Sequence, residues 1–190
     1  DKHVPLIHNV MNTDFVVGVS DRATNNLNMI FNTEIGQQYL IENKGLDSKF
    51  VHRLPEFGFS SIANILASIK LAKYMKLGPD DAIITVATDG ADLYLTELEK
   101  TKKDYTGSYD KNACAEIFGQ YMKATTTDNM IELNQKDKER IFNLGYYTWV
   151  EQQGIDLKDF EARRKQSYWD MHLQIMLDLD KKIEQFNSNS

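Results

Sequence analysis

The run Glu56-Phe57-Gly58-Phe59-Ser60-Ser61-Ile62-Ala63-Asn64-Ile65-Leu66-Ala67-Ser68-Ile69-Lys70-Leu71-Ala72-Lys73 decides the reading of the fold. A glycine and two serines open a long series of helix formers, and a short hydroxyl can accept from the unpaired N–H groups of a first turn. Ala63, Ala67, Ser68 and Ala72 are small enough for a neighbour to approach closely. Ile62, Ile65, Leu66, Ile69 and Leu71 spread apolar surface over more than one side, as in a buried helix. Lys70 and Lys73 read as surface positions on it. Lys73 and Lys76 suit the negative end of the helix dipole, and Leu77-Gly78-Pro79 closes it. Ala82-Ile83-Ile84-Thr85-Val86-Ala87 then reads as a buried strand, Thr88-Asp89-Gly90 as the turn at its end, and Ala91 to Leu95 as the start of a second helix. In open α/β sheets, ligands collect at the carboxyl ends of strands and against helix N-termini. The Gly58–Ser61 helix start and the Thr88–Gly90 turn are therefore expected to face one crevice. The plainer reading makes Ser60 and Ser61 caps and Asp89-Gly90 a turn.

Upstream, Asp14 to Ser20 reads as a strand because β-branched residues dominate it. Ser20-Asp21-Arg22-Ala23 starts a helix with Leu27, Ile30, Phe31 and Ile35 on its apolar face. Gly36 interrupts the pattern, giving two shorter helices that end near Asn43-Lys44-Gly45, and residues 46 to 57 read as a loop. Two strands joined by a helical crossover suit a parallel sheet with right-handed connections. Val4 to Val10 reads as a short strand or an extended approach. Downstream of Glu97 no segment reads as a strand. The polar stretch Lys100 to Ser108 is the best boundary, so residues 1–100 form an α/β part and 101–190 a helical extension. Helices are expected over Ala113 to Ala124, from Asn134 to Gly154, and from Leu157 to Phe186, the last with Phe160, Tyr168, Trp169, Leu173, Ile175, Met176, Leu179 and Ile183 at helical spacing. The tail from Asn187 to Ser190 is expected to fray.

Composition excludes several classes. Hydrophobic residues make up 42% and charged residues 26%, an ordinary globular balance. A net charge of −6 with dispersed acids disfavours nucleic acid or an anionic membrane as a partner. No apolar run could span a bilayer, and the single cysteine, Cys114, fits a cytoplasmic protein without a disulfide framework. His3, His8, His52 and His172 show no metal-ligand spacing, and Cys114 has no partner motif for a nucleophile. Asp1-Lys2-His3-Val4-Pro5 reads as the start of a fragment, a processed chain or a trimmed one.

The stretch from about Phe15 to Leu98 resembles the C-terminal half of the cysteine synthase family, pyridoxal-phosphate enzymes of the tryptophan-synthase-beta fold. Gly58-Phe59-Ser60-Ser61 stands where that family has a Gly-x-Ser-Ser segment opening an alanine-rich helix. Thr88-Asp89-Gly90-Ala91-Asp92-Leu93-Tyr94-Leu95-Thr96 looks like its strand-end turn, followed by a tyrosine and a Leu-Ser/Thr pair. More loosely, Asn143 to Gly154 and Phe160 to Arg164 look like the helical extension of one branch of such proteins, although an aromatic core stripe explains them as well.

The resemblance implies β-elimination or β-replacement on an amino acid, with pyridoxal 5'-phosphate as electron sink. It implies that Ser60 meets the pyridine nitrogen, and that Gly58, Ser61, Thr88 and Asp89 lie beside the cofactor. Asp89 stands where a serine is common, and it equally suits a cap for the following helix. No Gly-x-Gly-x-x-Gly or similar phosphate loop is present, and no lysine matches the family's Schiff-base context. The chain is then expected to be a C-terminal portion that needs an N-terminal segment to react, within a homo-oligomer. The alternative is a regulatory or interaction domain that keeps the fold without its chemistry. A receiver-like module using Asp89 ranks third, for want of paired acids and a downstream lysine.

Overall fold

The computed structural model describes residues 8–105, 107 and 109–188. The expectations for His3, for the segment before His8, for Thr106 and Ser108 in the polar boundary stretch, and for the final two residues lie outside the described residues. The fold is 69% helical, with one two-stranded antiparallel sheet. This overturns the α/β reading: among the described residues there is no parallel sheet flanked by helices.

The chain divides into two compact units, residues 17–130 and residues 1–16 with 131–190. Residues 100 and 101 are neighbours within one helix, Leu95–Asp104. The division falls within the strand pair β1 (Phe15–Val17) and β2 (Met130–Glu132). Leu133 N–H donates to Asp14 O at 2.7 Å and Gly18 N–H to Asn129 O at 2.8 Å, so the register runs in opposite directions. β1 was expected and β2 was not, because Met-Ile-Glu is too short and too polar to stand out from its surroundings.

In the 17–130 unit, α1 (Asp21–Asn32) is the central element rather than the helix quoted above. Leu27, Met29 and Ile30 are fully buried, and α2 (Glu34–Lys44), α4 (Phe59–Met75), α5 (Leu95–Asp104) and α6 (Lys111–Ile117) all pack on α1. A short helix, α3 (Ser48–Val51), follows α2, entered by Asp47, whose carboxylate accepts from Phe50 N–H. Burial of α1 on several sides forces its polar residues to find partners. Asn26 donates to Arg22 O and accepts from the Tyr105 hydroxyl, while Asn28 accepts from Asn32.

The break after α1 falls at Thr33, not at Gly36. Thr33 Oγ1 accepts from Gly36 N–H at 3.1 Å and donates to Met29 O at 2.7 Å, capping one helix while closing the other. Gly36 sits inside α2 because a Cβ there would lie 2.2 Å from the Ile30 carbonyl oxygen.

The expected strand Ala82 to Ala87 is neither helix nor strand. Strand formation depends on a neighbour to pair with, and no backbone–backbone hydrogen bond reaches residues 82–87 among the described residues. Ile84 is 97% exposed.

α4 starts at Phe59 with Gly58 as N-cap, so Ser60 and Ser61 lie within its first turn instead of capping it. Its end is set by Lys76 in the left-handed conformation (φ 55°), one residue before Leu77-Gly78-Pro79. Lys70, expected at the surface, is buried. α6 continues into π-helical turns over Phe118–Lys123. Cys114 is fully buried in α6, and burial raises its thiol pKa.

In the other unit, α7 (Gln135–Tyr146) begins with a capping box: Asn134 accepts from Asp137 N–H, and Asp137 accepts from Asn134 N–H. α7 continues into π-helical turns over Tyr147–Gln152. The expected single helix from Leu157 is two, α8 (Leu157–Ala162) and α9 (Gln166–Ser188). Only the near end of the aromatic stripe packs: Phe160 is buried against Phe142, whereas Leu173, Met176, Leu179 and Ile183 are exposed. At the bend, Arg163 is 3% exposed, its guanidinium 3.8 Å from the Trp149 ring centroid, and it donates to His8 O. In the sequence Arg163 stands out only as part of the Phe160 to Arg164 stretch, with no role of its own.

Two outcomes follow. Gly36→Ala should destabilise the chain by about 3 kcal/mol or more, read from urea denaturation, because the clash is with backbone and cannot be relieved by a rotamer. His8 has its pKa lowered from 6.5, by burial first and by the Arg163 charge second. The unfolded chain therefore takes up the proton at higher pH than the folded one. His8's contribution is complete above the unfolded value and is lost as pH falls through the folded pKa. Denaturation midpoints should drop on acidification through this window, and His8→Gln should flatten that drop.

Candidate functional site

Gly58, Ser61, Thr88 and Asp89 come together, although no strand carries the last two. Gly58 N–H donates to Asp89 O at 2.8 Å. A Cβ on Gly58 would lie 2.5 Å from that oxygen and 2.8 Å from the Tyr94 ring, so only glycine permits this approach. Ser61 is buried, and its hydroxyl accepts from Thr88 N–H at 2.8 Å and lies 3.2 Å from the Thr88 hydroxyl. Asn64, one turn further along α4, donates to Val86 O at 2.9 Å. Four polar contacts thus clamp the 86–89 segment to the first turns of α4. The turn ends in a 3-10 helix, Ala91–Tyr94, whose Tyr94 ring packs 4.7 Å from Phe59.

Ser60 behaves differently from its neighbour. It is exposed at the N-terminal end of α4, and no hydrogen bond holds its hydroxyl among the described residues. The first-turn N–H groups of α4 give this end a partial positive charge. Gly58 is an N-cap without a side chain, so no capping oxygen competes for these donors. The Asp89 side chain is exposed beside this end. The arrangement can offer a neutral hydroxyl and helix-end donors to a polar aromatic ligand. Lys70, on the same helix, does not reach Ser60: it lies about 15 Å further along at the usual rise per residue.

Other chemistry is sparse. No group of three or more His, Cys, Asp or Glu suited to a metal ion occurs among the described residues. His52 and His172 are each exposed, and Cys114 is enclosed in the core. Among those residues, no helix is long and apolar enough to cross a membrane.

Comparison with protein-family models, curated proteins and solved structures returned no match.

The two serines should separate cleanly in stability. Ser61→Ala removes the acceptor of the Thr88 N–H and should cost about 0.5–1.5 kcal/mol. Ser60→Ala should stay within about 0.5 kcal/mol of the parent, as an exposed substitution does. Urea denaturation of both variants measures the contrast.

Proposed function

We propose that this chain is part of a pyridoxal-phosphate-dependent enzyme of the cysteine-synthase kind, acting by β-elimination or β-replacement on an amino acid. The observation that supports it is the clamp of Gly58 and Ser61 onto Thr88 and Asp89, which leaves the Ser60 hydroxyl accessible at a helix end. The two segments that carry the family resemblance are thus in contact, and the residue matching the ring-nitrogen serine is the one that packing does not consume.

The bound cofactor would supply an electron sink for a carbanion. Ser60 would hydrogen-bond the pyridine nitrogen. Being uncharged, it does not raise that nitrogen's pKa as a carboxylate would. Ser60 would thus leave that nitrogen without a proton, which would suit loss of a β leaving group over transamination. Gly58 and Ser61 would act as positioning residues that hold the first turn of α4 against Thr88. Asp89 would border the ring edge.

These residues fit one edge of the cofactor only. The Schiff-base lysine and the phosphate loop belong, on this reading, to a further segment of the same enzyme, and the chain by itself is not competent. Assembly as a homo-oligomer is part of the proposal. The lack in the sequence of a lysine in the family's Schiff-base context and of a phosphate loop favours a second reading, a non-catalytic regulatory or interaction domain.

Visible absorbance separates the two. Protein isolated with the polypeptide that supplies the lysine should be yellow. Ser60→Ala should retain the colour while lowering the elimination rate roughly tenfold, the worth of one hydrogen bond of about 1–1.5 kcal/mol. A colourless assembly that takes up no added cofactor would leave the regulatory reading standing.

A further inference from the structure

Lys70 is an unusual occupant of a helix core. Its side chain is 9% exposed, and its ammonium donates to Gly18 O at 2.9 Å. The Asp128 carboxylate lies 3.8 Å away, beyond hydrogen-bonding range. An ammonium carries three donors, and one acceptor is a poor return for removing that charge from water. Beside it lies a cavity of about 170 Å³, walled by Lys70 together with Ser20, Tyr121, Thr125, Thr126 and Asn129. At ~30 Å³ per molecule this holds about five waters, or an organic ligand of about six heavy atoms.

The wall presents two opposite charges side by side. Lys70 is buried, whereas the Asp128 side chain is 66% exposed and is steadied by hydrogen bonds from the Thr126 hydroxyl and the Asn129 amide. A simple anion would satisfy Lys70 but face Asp128. A simple cation would do the reverse. A molecule with a carboxylate and an ammonium one carbon apart satisfies both, and the exposed Asp128 can turn to admit it. We propose that this cavity binds a small α-amino acid as its zwitterion, the carboxylate on Lys70 Nζ and the ammonium on Asp128. The volume matches glycine, alanine or serine better than an aromatic amino acid. No cofactor is required, so this site stands apart from the reading of Ser60.

The test is an amide-resolved NMR titration of the chain at neutral pH with glycine, L-serine, acetate, methylammonium and L-tryptophan. Glycine and L-serine should shift the amides of Gly18, Thr126 and Asn129. Acetate should bind at least tenfold more weakly, and methylammonium and L-tryptophan should not shift these amides. Lys70→Met should abolish the shifts. Asp128→Asn, an exposed change expected to leave the fold intact, should bring glycine down to the level of acetate. Absence of shifts with glycine and L-serine would overturn the proposal. Acetate binding as tightly as glycine, or an unchanged response in Asp128→Asn, would overturn it equally.

Discussion

Burial of α1 on several sides is the constraint from which the larger unit follows. A twelve-residue helix whose Leu27, Met29 and Ile30 have lost all contact with water gains on the order of 1.5–3 kcal/mol for each such side chain. That gain requires neighbours at close range. Thr33 and Gly36 provide the first by folding α2 back without a spacer. The same burial leaves no water for the amides of Asn26 and Asn28, so Arg22, Asn32 and Tyr105 complete them from within the unit. Packing and polar satisfaction are therefore a single demand here, met by residues that look unremarkable along the chain.

The helices were legible where their signals are local. Hydrophobic spacing marks α1 and α4, and the helix expected from Asn134 begins there as α7. What misled is tertiary. Ala82 to Ala87 has strand composition but no partner, and composition carries no information about whether a neighbouring strand exists. Met130–Glu132 has little strand character but gains two hydrogen-bonded ends from its position opposite β1. Lys70 reads as a surface residue along the chain because lysines usually lie in water. The carbonyl of Gly18, 52 residues earlier, is what draws it inward.

The candidate site was legible in its pieces and in their meeting, since Gly58 and Ser61 do touch Thr88 and Asp89. The division of labour between adjacent serines was not. Both have the same propensity to cap, and only the 100° turn between successive helix positions decides which hydroxyl faces the 86–89 segment. The glycine before them proved more specific than either, because its Cα lies where any side chain would meet a carbonyl oxygen.

The uncovered Ala82-Ile83-Ile84-Thr85-Val86-Ala87 segment has one more consequence. Six residues without charge, proline or glycine, rich in branched side chains and lacking backbone partners, form a sticky ribbon. Val86 is held to α4, and Ile83 and Thr85 border Ile65 and Ile69 of that helix. Among the described residues, however, the backbone edge stays without a backbone partner, and Ile84 projects outward, able to stack on a counterpart in another molecule. Concentrated preparations of this chain are thus prone to fibrillar clumping that begins at this hexapeptide, and a charged side chain in place of Ile84 is the gatekeeper that would hold it off.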